Sequence, residues 1–175
     1  MTGMFPALGQ PPLTLAERAV VQIADTLTRQ RQTLATAESC TGGWIAKMLT
    51  DLPGSSAWFG YGVVSYANEA KQSVLKVRAD ALDAHGAVSE TVIREMAEGV
   101  RLLARSDYAI ATSGIAGPGG GTDDKPVGTV WAAWSSASTT IAKMERFRGD
   151  RETVRVKTVA WVLCELDRLL ADESL

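Results

Sequence analysis

The fold is decided by the stretch Thr33-Leu34-Ala35-Thr36-Ala37-Glu38-Ser39-Cys40-Thr41-Gly42-Gly43, in which a short β-prone run ends in polar residues and two glycines. A helix is predicted to begin at Gly42 or Gly43 and to run to Asp51, because Pro53-Gly54 then forms a turn. A strand that passes through a short loop directly into a helix is typical of a layered α/β domain. The same alternation continues on both sides of this stretch.

Upstream, a helix is expected after Thr14, which stands three residues before Glu17 at capping-box spacing. Downstream, we predict strands at 58–66, 107–112, 127–135 and 139–147, and helices at 68–75, 89–105 and 151–170. The segment around the single histidine, His85, has the character of a loop. The last two strands form a predicted hairpin, so part of the sheet is antiparallel. The sequence therefore predicts an α/β fold, a three-layer α/β/α sandwich with a mixed, mostly parallel sheet.

Composition limits the class of protein. The chain has 175 residues, 46% of them hydrophobic, which suits one domain with a sizeable core. We expect residues 1–12 to form a flexible tail and residues 13–175 to form that single domain. The net charge of −2 argues against nucleic acid as a partner, because such binding needs a basic surface. Neither a signal peptide nor a membrane-spanning stretch is visible, so we expect a cytoplasmic protein with no membrane partner.

Metal-ligating residues are scarce in the sequence. The chain has two cysteines and one histidine, too few for a disulfide framework or for a multi-histidine or cysteine-rich metal centre. We therefore expect neither a metal nor a cofactor.

The first candidate loop is the polar end of the opening stretch. Hydroxyl groups just before two glycines lie beside the unpaired N–H groups of a helix N-terminus, and such donors can stabilise an oxyanion or bind phosphate. The same pattern fits a simpler role, in which Ser39 or Thr41 caps the helix.

The second candidate loop contains Tyr66 and, one helical turn further on, Lys71. A lysine that is desolvated in a cleft has a lowered pKa and can act as a general base towards a serine hydroxyl. Tyr66 could relay a proton. A solvated helix lysine and a packed tyrosine fit the spacing equally well.

The third candidate loop is the glycine-rich segment 113–122. Its glycines allow positive φ angles and a nest of N–H groups for an anion, although it lacks the Gly-Lys-Ser/Thr ending of a P-loop. A flexible surface loop is the alternative. Arg148 and Arg151 lie further along the chain, where they either contact a phosphate or remain in solvent.

Taken together, the motifs resemble the CinA C-terminal domain family over residues 14–170. The matching segments are Ala37 to Gly43, Val63 to Tyr66 with Asn68 to Lys71, Gly86 to Ser89, Gly114 to Thr122, Lys125 to Val130, and Phe147 to Arg151. One departure is Ser113 before Gly114, where the family pattern has threonine; the hydroxyl is kept. Longer family members carry an additional N-terminal domain with pyrophosphatase activity, an activity that we do not expect here.

The resemblance implies a deamidase that converts nicotinamide mononucleotide to nicotinate mononucleotide and ammonia. The family nucleophile falls on Ser39, its activating lysine on Lys71 and its tyrosine on Tyr66. On this basis we expect a Ser/Lys acyl-enzyme mechanism and a small-molecule substrate. The expected substrate-binding residues are Cys40, Thr41, Gly42 and Gly43 at the oxyanion, Asn68 at Lys71 or the amide, and Gly114, Gly117, Gly119, Gly120, Thr122 and Arg148 at the phosphate.

Two alternatives remain at this point. Cys40 could be the nucleophile of an amidase that uses Glu38 and Lys71 as base and electrostatic partner, since a thiol is intrinsically more nucleophilic than a hydroxyl. The domain could instead be a non-catalytic nucleotide-binding or regulatory module. The apolar content of the strand predicted at 58–66 also favours a homo-oligomer.

Overall fold

A computed structural model describes residues 11–175 of the chain. Residues 1–10 of the tail predicted over 1–12 lie outside the described part, and Pro12 is already the first residue of a helix. The elements are α1 Pro12–Gln30, β1 Leu34–Glu38, α2 Trp44–Thr50, β2 Phe59–Val64, α3 Asn68–Leu75, α4 Ala79–His85, α5 Glu90–Ala104, β3 Tyr108–Gly114, β4 Thr129–Ser135, β5 Thr140–Arg146 and α6 Arg151–Ala171, with a 3₁₀ turn at Ser55–Ala57.

The five strands form one mixed sheet in the order β2-β1-β3-β4-β5. β1 pairs in parallel with β2 and with β3, whereas β4 is antiparallel to both of its neighbours. Four strands therefore run in one direction and only β4 runs against them, which confirms the mixed α/β sheet.

Helices cover both faces of the sheet and create two cores. On one face, α1 and α6 pack on each other and on inward-facing side chains such as Leu34, Ile110 and Trp134. On the other face, α5 packs its apolar side over Ala35, Ala37 and their neighbours in β3. Every residue of β1 is buried, as expected for a central strand with helices on both sides.

Local signals place most of the element ends. Ser89 caps α5 by accepting a hydrogen bond from the amide of Val92, as its position in the sequence predicts. The capping role of Thr14 is wrong, because α1 already begins at Pro12 and a proline suits the first turn of a helix. His85 is the last residue of the seven-residue helix α4 rather than part of a loop.

Candidate active site

The carboxyl ends of three parallel strands form the base of the site. Glu38, the last residue of β1, is in register with Val64 of β2 on one side and with Thr112 of β3 on the other. The loops that follow β1, β2 and β3 are the three candidate loops, so the fold places them at one edge of the sheet. Ligands usually bind at this edge in α/β folds.

Ser39 and Lys71 meet at this edge. The Nζ atom of Lys71, on α3, lies 3.2 Å from Oγ of Ser39 although 32 positions separate the two residues. The same Nζ donates hydrogen bonds to the backbone carbonyls of Ser65 at 2.8 Å and Tyr66 at 3.0 Å. Lys71 is 1% exposed and Ser39 is 9% exposed, so the pair is buried and the solvated-lysine alternative is wrong.

Burial makes this amine easier to deprotonate. Desolvation lowers the pKa of Lys71 below its ordinary value, while the negative charge of Glu69 acts in the opposite direction. Carbonyl oxygens only accept hydrogen bonds. A neutral amine therefore directs its two N–H groups to Ser65 and Tyr66 and leaves its lone pair facing the Ser39 hydroxyl.

Glu38 holds the loop that carries Ser39. Its buried carboxylate accepts hydrogen bonds from the amides of Gly43, Ile45 and Ala46, at 2.8–3.1 Å, and so satisfies the N-terminus of α2. The capping role considered for Ser39 and Thr41 is therefore wrong. Ser39 faces Lys71 instead, and the Thr41 hydroxyl shares a buried hydrogen bond of 2.8 Å with Thr112.

Two amides of the same loop make no hydrogen bond to another described residue. The Gly42 amide donates to the carbonyl of Ser39, and the Gly43 amide donates to Glu38. Within residues 11–175, the amides of Cys40 and Thr41 have no hydrogen-bond partner in another residue. Gly42 and Gly43 therefore use their N–H groups within the loop, which departs from the expectation that these groups serve an oxyanion.

An arginine that the sequence did not single out packs on this loop from α6. Arg155 donates from Nε to the carbonyl of Cys40 at 3.1 Å and from Nη2 to the carbonyl of Thr41 at 2.9 Å. Its guanidinium also stacks over the Trp44 ring, 5.3 Å from the centroid. Arg155 lies 115 positions from Cys40 in the sequence, so no local pattern predicts this contact.

Cys40 faces the protein interior. Its side chain packs in a cluster with Ala116, Val130, Phe147 and Val154. Burial raises the pKa of the Cys40 thiol to about 12, so the thiol is protonated at neutral pH. Glu38, the base in the cysteine alternative, is already bound to three amides. These observations argue against a cysteine nucleophile.

Tyr66 and the glycine segment are joined by Arg151, the first residue of α6. Arg151 donates to the Tyr66 hydroxyl at 2.9 Å and to the Gly117 carbonyl at 3.0 Å. Tyr66 is 58% exposed, and its contact with Lys71 is through its backbone carbonyl. Arg148 is exposed, and its own carbonyl accepts a hydrogen bond from Lys157. Arg151, rather than the Arg148 expected at the phosphate, is therefore the arginine that contacts the glycine-rich segment.

The glycines of the third loop serve different purposes. Gly117 and Gly120 have φ angles of 85°, and a Cβ on Gly119 would meet open space. Gly114 and Gly117 are also required for packing, because a Cβ on them would lie 2.7 Å from Val130 and from Val127, respectively. Thr122 closes a turn with Lys125 through both its amide and its hydroxyl. Of the four glycines expected at the phosphate, Gly119 and Gly120 have no close packing neighbour at the Cβ position.

Asn68 begins α3 and is exposed, and its side chain has no hydrogen bond to another described residue. Over residues 11–175, no helix is long and apolar enough to cross a membrane, and no group of three or more His, Cys, Asp or Glu side chains is placed to hold a metal ion.

The fold and the site define the class of this protein as an α/β protein with a candidate Ser/Lys hydrolytic site. The site consists of a buried serine beside a desolvated lysine at the carboxyl ends of parallel strands. The model of the CinA C-terminal domain family matches residues 16–170, and the chain belongs to that family.

Curated relatives and solved structures agree with this assignment. The chain is 52% identical over 143 residues to the nicotinamide-nucleotide amidohydrolase PncC of Escherichia coli K12, a match that covers 81% of this chain and 87% of that protein. It is 46% identical to a putative competence-damage inducible protein of Caldanaerobacter subterraneus, covering 87% of this chain and 37% of that protein. A competence damage-inducible protein A from Klebsiella pneumoniae superposes with a TM-score of 0.86 at 44% identity, covering 89% of this chain and 97% of that one.

Proposed function

We propose that this protein is an amidohydrolase that deamidates nicotinamide mononucleotide to nicotinate mononucleotide and ammonia. The observation that carries the proposal is the buried contact of 3.2 Å between Nζ of Lys71 and Oγ of Ser39. The substrate is suggested by the name of the E. coli relative, which is 52% identical over most of the chain.

The chemistry begins with the neutral amine of Lys71, which takes the proton of the Ser39 hydroxyl. The Ser39 oxygen forms a bond to the carboxamide carbon of the pyridine ring and gives a tetrahedral oxyanion. Collapse of this intermediate breaks the C–N bond, and Lys71 returns the proton so that ammonia leaves. A water molecule then attacks the acyl-enzyme with Lys71 again as the base, which releases the carboxylate and restores Ser39.

Backbone amides stabilise the oxyanion. The N–H groups of Cys40 and Thr41 belong to the loop that carries Ser39 and have no hydrogen-bond partner in another described residue. Donors of this kind contribute about 3 kcal/mol each to the stability of the transition state.

Charge complements the substrate in two places. The pyridinium ring is cationic, and a nearby positive charge favours the neutral form of the Lys71 amine. The phosphate binds at the glycine segment near Gly117, Gly119 and Gly120, where Arg151 is held between Gly117 and Tyr66. Arg148 is the second candidate, since its side chain is exposed. To Asn68, the exposed first residue of α3, we assign a contact with the carboxamide or with Lys71.

The experiment compares Ser39→Ala with Cys40→Ala in an assay of ammonia release from nicotinamide mononucleotide. We expect Ser39→Ala to lose at least about 1,000-fold in kcat. Cys40→Ala is expected to keep most of the activity, because the thiol is buried and protonated. The reverse pattern points to the cysteine mechanism. Nucleotide binding with no deamidation by the wild type points to the regulatory module.

Self-association and a cytoplasmic location complete the proposal. β2 is an edge strand, and Tyr61, Val64 and Tyr66 expose about half of their surface on or next to it. Exposed apolar edge strands are pairing sites, so a homo-oligomer is the favoured state. The substrate, an intermediate of nucleotide metabolism, places the enzyme in the cytoplasm.

A further inference from the structure

We propose that Arg155 is a positioning residue that directs the Thr41 N–H group at the oxyanion. The inference rests on the proposed acyl transfer at Ser39. It assigns to α6, the last helix of the chain, a role in arranging the loop that follows the first strand.

The guanidinium of Arg155 makes a double contact with the loop. Nε and Nη2 of Arg155 bind the carbonyls of Cys40 and Thr41, two successive peptide groups, at 3.1 and 2.9 Å. One rigid fork therefore fixes the orientation of two neighbouring peptide planes.

Peptide geometry sets the direction of the N–H groups. In a trans peptide the N–H points opposite to the C=O. Holding the Cys40 carbonyl towards α6 therefore turns the Thr41 N–H away from α6. Holding the Thr41 carbonyl likewise turns the Gly42 N–H, which closes onto the Ser39 carbonyl at 3.1 Å. Of the two amides that the fork orients, that of Thr41 is left without a partner among the described residues.

Arg155 itself is held in place. Its neighbour Val154 is buried in the cluster that contains Cys40, and the Trp44 ring supports the guanidinium. A Cβ on Gly42 would lie 3.4 Å from Nη2, so the loop approaches the fork closely. A lysine offers one point charge and cannot hold both carbonyls in this geometry.

The experiment measures kcat and KM for Arg155→Ala and Arg155→Lys, with Arg168→Ala on the exposed last turn of the same helix as the matched control. Loss of one oxyanion donor typically costs about 100-fold or more in kcat. We expect about that loss in both Arg155 variants, with KM within about threefold of the wild type. Arg168→Ala should retain wild-type kinetics.

A second measurement separates positioning from folding and from substrate identity. A pyridine-3-boronic acid that adds to Ser39 mimics the tetrahedral intermediate. Its addition should shift the Thr41 amide resonance in the wild type but not in Arg155→Lys, and its affinity should fall in parallel with kcat. Affinity for nicotinate mononucleotide should not change.

The outcomes are distinguishable. Three results would each overturn the role of Arg155. They are an unchanged kcat in folded Arg155 variants, a rise in KM proportional to the fall in kcat, and a Thr41 amide resonance that the boronate does not shift in the wild type. The wild type could instead bind the boronate through Ser39 and show the shift of the Thr41 amide resonance, yet release no ammonia from nicotinamide mononucleotide. That result would overturn the proposed substrate and leave the positioning role intact. If both Arg155 variants unfold, the test is whether the boronate shifts the Thr41 amide resonance in the wild type.

Discussion

At the scale of single residues, Lys71 is both a buried structural group and the base of the proposed mechanism. Two carbonyl acceptors fix its N–H groups, and the third position faces Ser39. Protonation would leave the ammonium with its three donors matched to three oxygens but without a lone pair for catalysis. The charge state of one side chain therefore decides whether the serine is activated.

The pH profile tests this role. Only the neutral amine is a base, so kcat/KM should rise with pH through a single ionisation and level off above the pKa of Lys71. Because burial lowers that pKa, the rise should be centred below the ordinary lysine value of 10.5. The negative charge of Glu69 raises the pKa of Lys71, so Glu69→Gln should move the rise to lower pH. A rise that moves to higher pH, or none at all, would contradict the assignment.

Residues that lie in a recognisable motif could be predicted from the sequence. Ser39, Lys71 and Tyr66 were candidates because they lie at loop ends, and the resemblance to the family assigned their roles. Arg155 was not predicted, because its contacts with Cys40 and Thr41 depend on how α6 packs against a distant loop. Glu38 was weighed only as a base, since binding three amides of α2 requires the exact turn between strand and helix.

At the scale of elements, α3 delivers Lys71 and is held by close packing on α5. A Cβ on Gly99 of α5 would lie only 2.0 Å from the carbonyl oxygen of Leu75, the last residue of α3. The two helices approach so closely that only glycine fits between them.

Gly99→Ala is therefore expected to destabilise the protein, although alanine favours helices by about 1 kcal/mol over glycine. Overpacking typically costs about 1–3 kcal/mol, and displacement of α3 should also lower kcat through Lys71. Urea unfolding and ammonia release measure the two effects. Gly60→Ala is the control, because a Cβ there meets nothing within 4 Å. A more stable Gly99→Ala variant would mean that the helices separate without cost.

The same scale shows what local signals can determine. The range predicted for α3, 68–75, matches the structure, and Ser89 marks the start of α5, because caps and periodicity act within a few residues. α4 was missed, since seven residues are too few for a periodic pattern to emerge from the surrounding loops.

At the scale of the whole molecule, the alternation of strands and helices was sufficient to predict a layered domain with an antiparallel hairpin. The strand order β2-β1-β3-β4-β5 could not be predicted in this way, because it depends on long-range pairing. This order leaves β2 at an edge of the sheet.

Self-association through β2 is testable by light scattering. The wild type should have a mass that is a multiple of one chain, and Tyr61→Lys should shift it to the mass of a single chain, since a charged edge strand resists pairing. Tyr61 is about half exposed on β2. Leu102→Lys, which changes an exposed residue of α5, should leave the mass unaltered. A wild type of single-chain mass, or an unchanged Tyr61→Lys, would exclude this interface.

The reversed strand β4 has a consequence for how the chain is routed. β4 starts beside Gly114, at the end of the sheet that carries Ser39, and finishes opposite Ala109 at the other end of the sheet. β5 then runs back to the first end. Without the return along β5, α6 would begin at the end of the sheet opposite Ser39, and neither Arg151 nor Arg155 could reach the loops. The turn at residues 136–139 joins β4 to β5 at the end of the sheet opposite the site. A reporter attached to this turn should therefore leave turnover undisturbed.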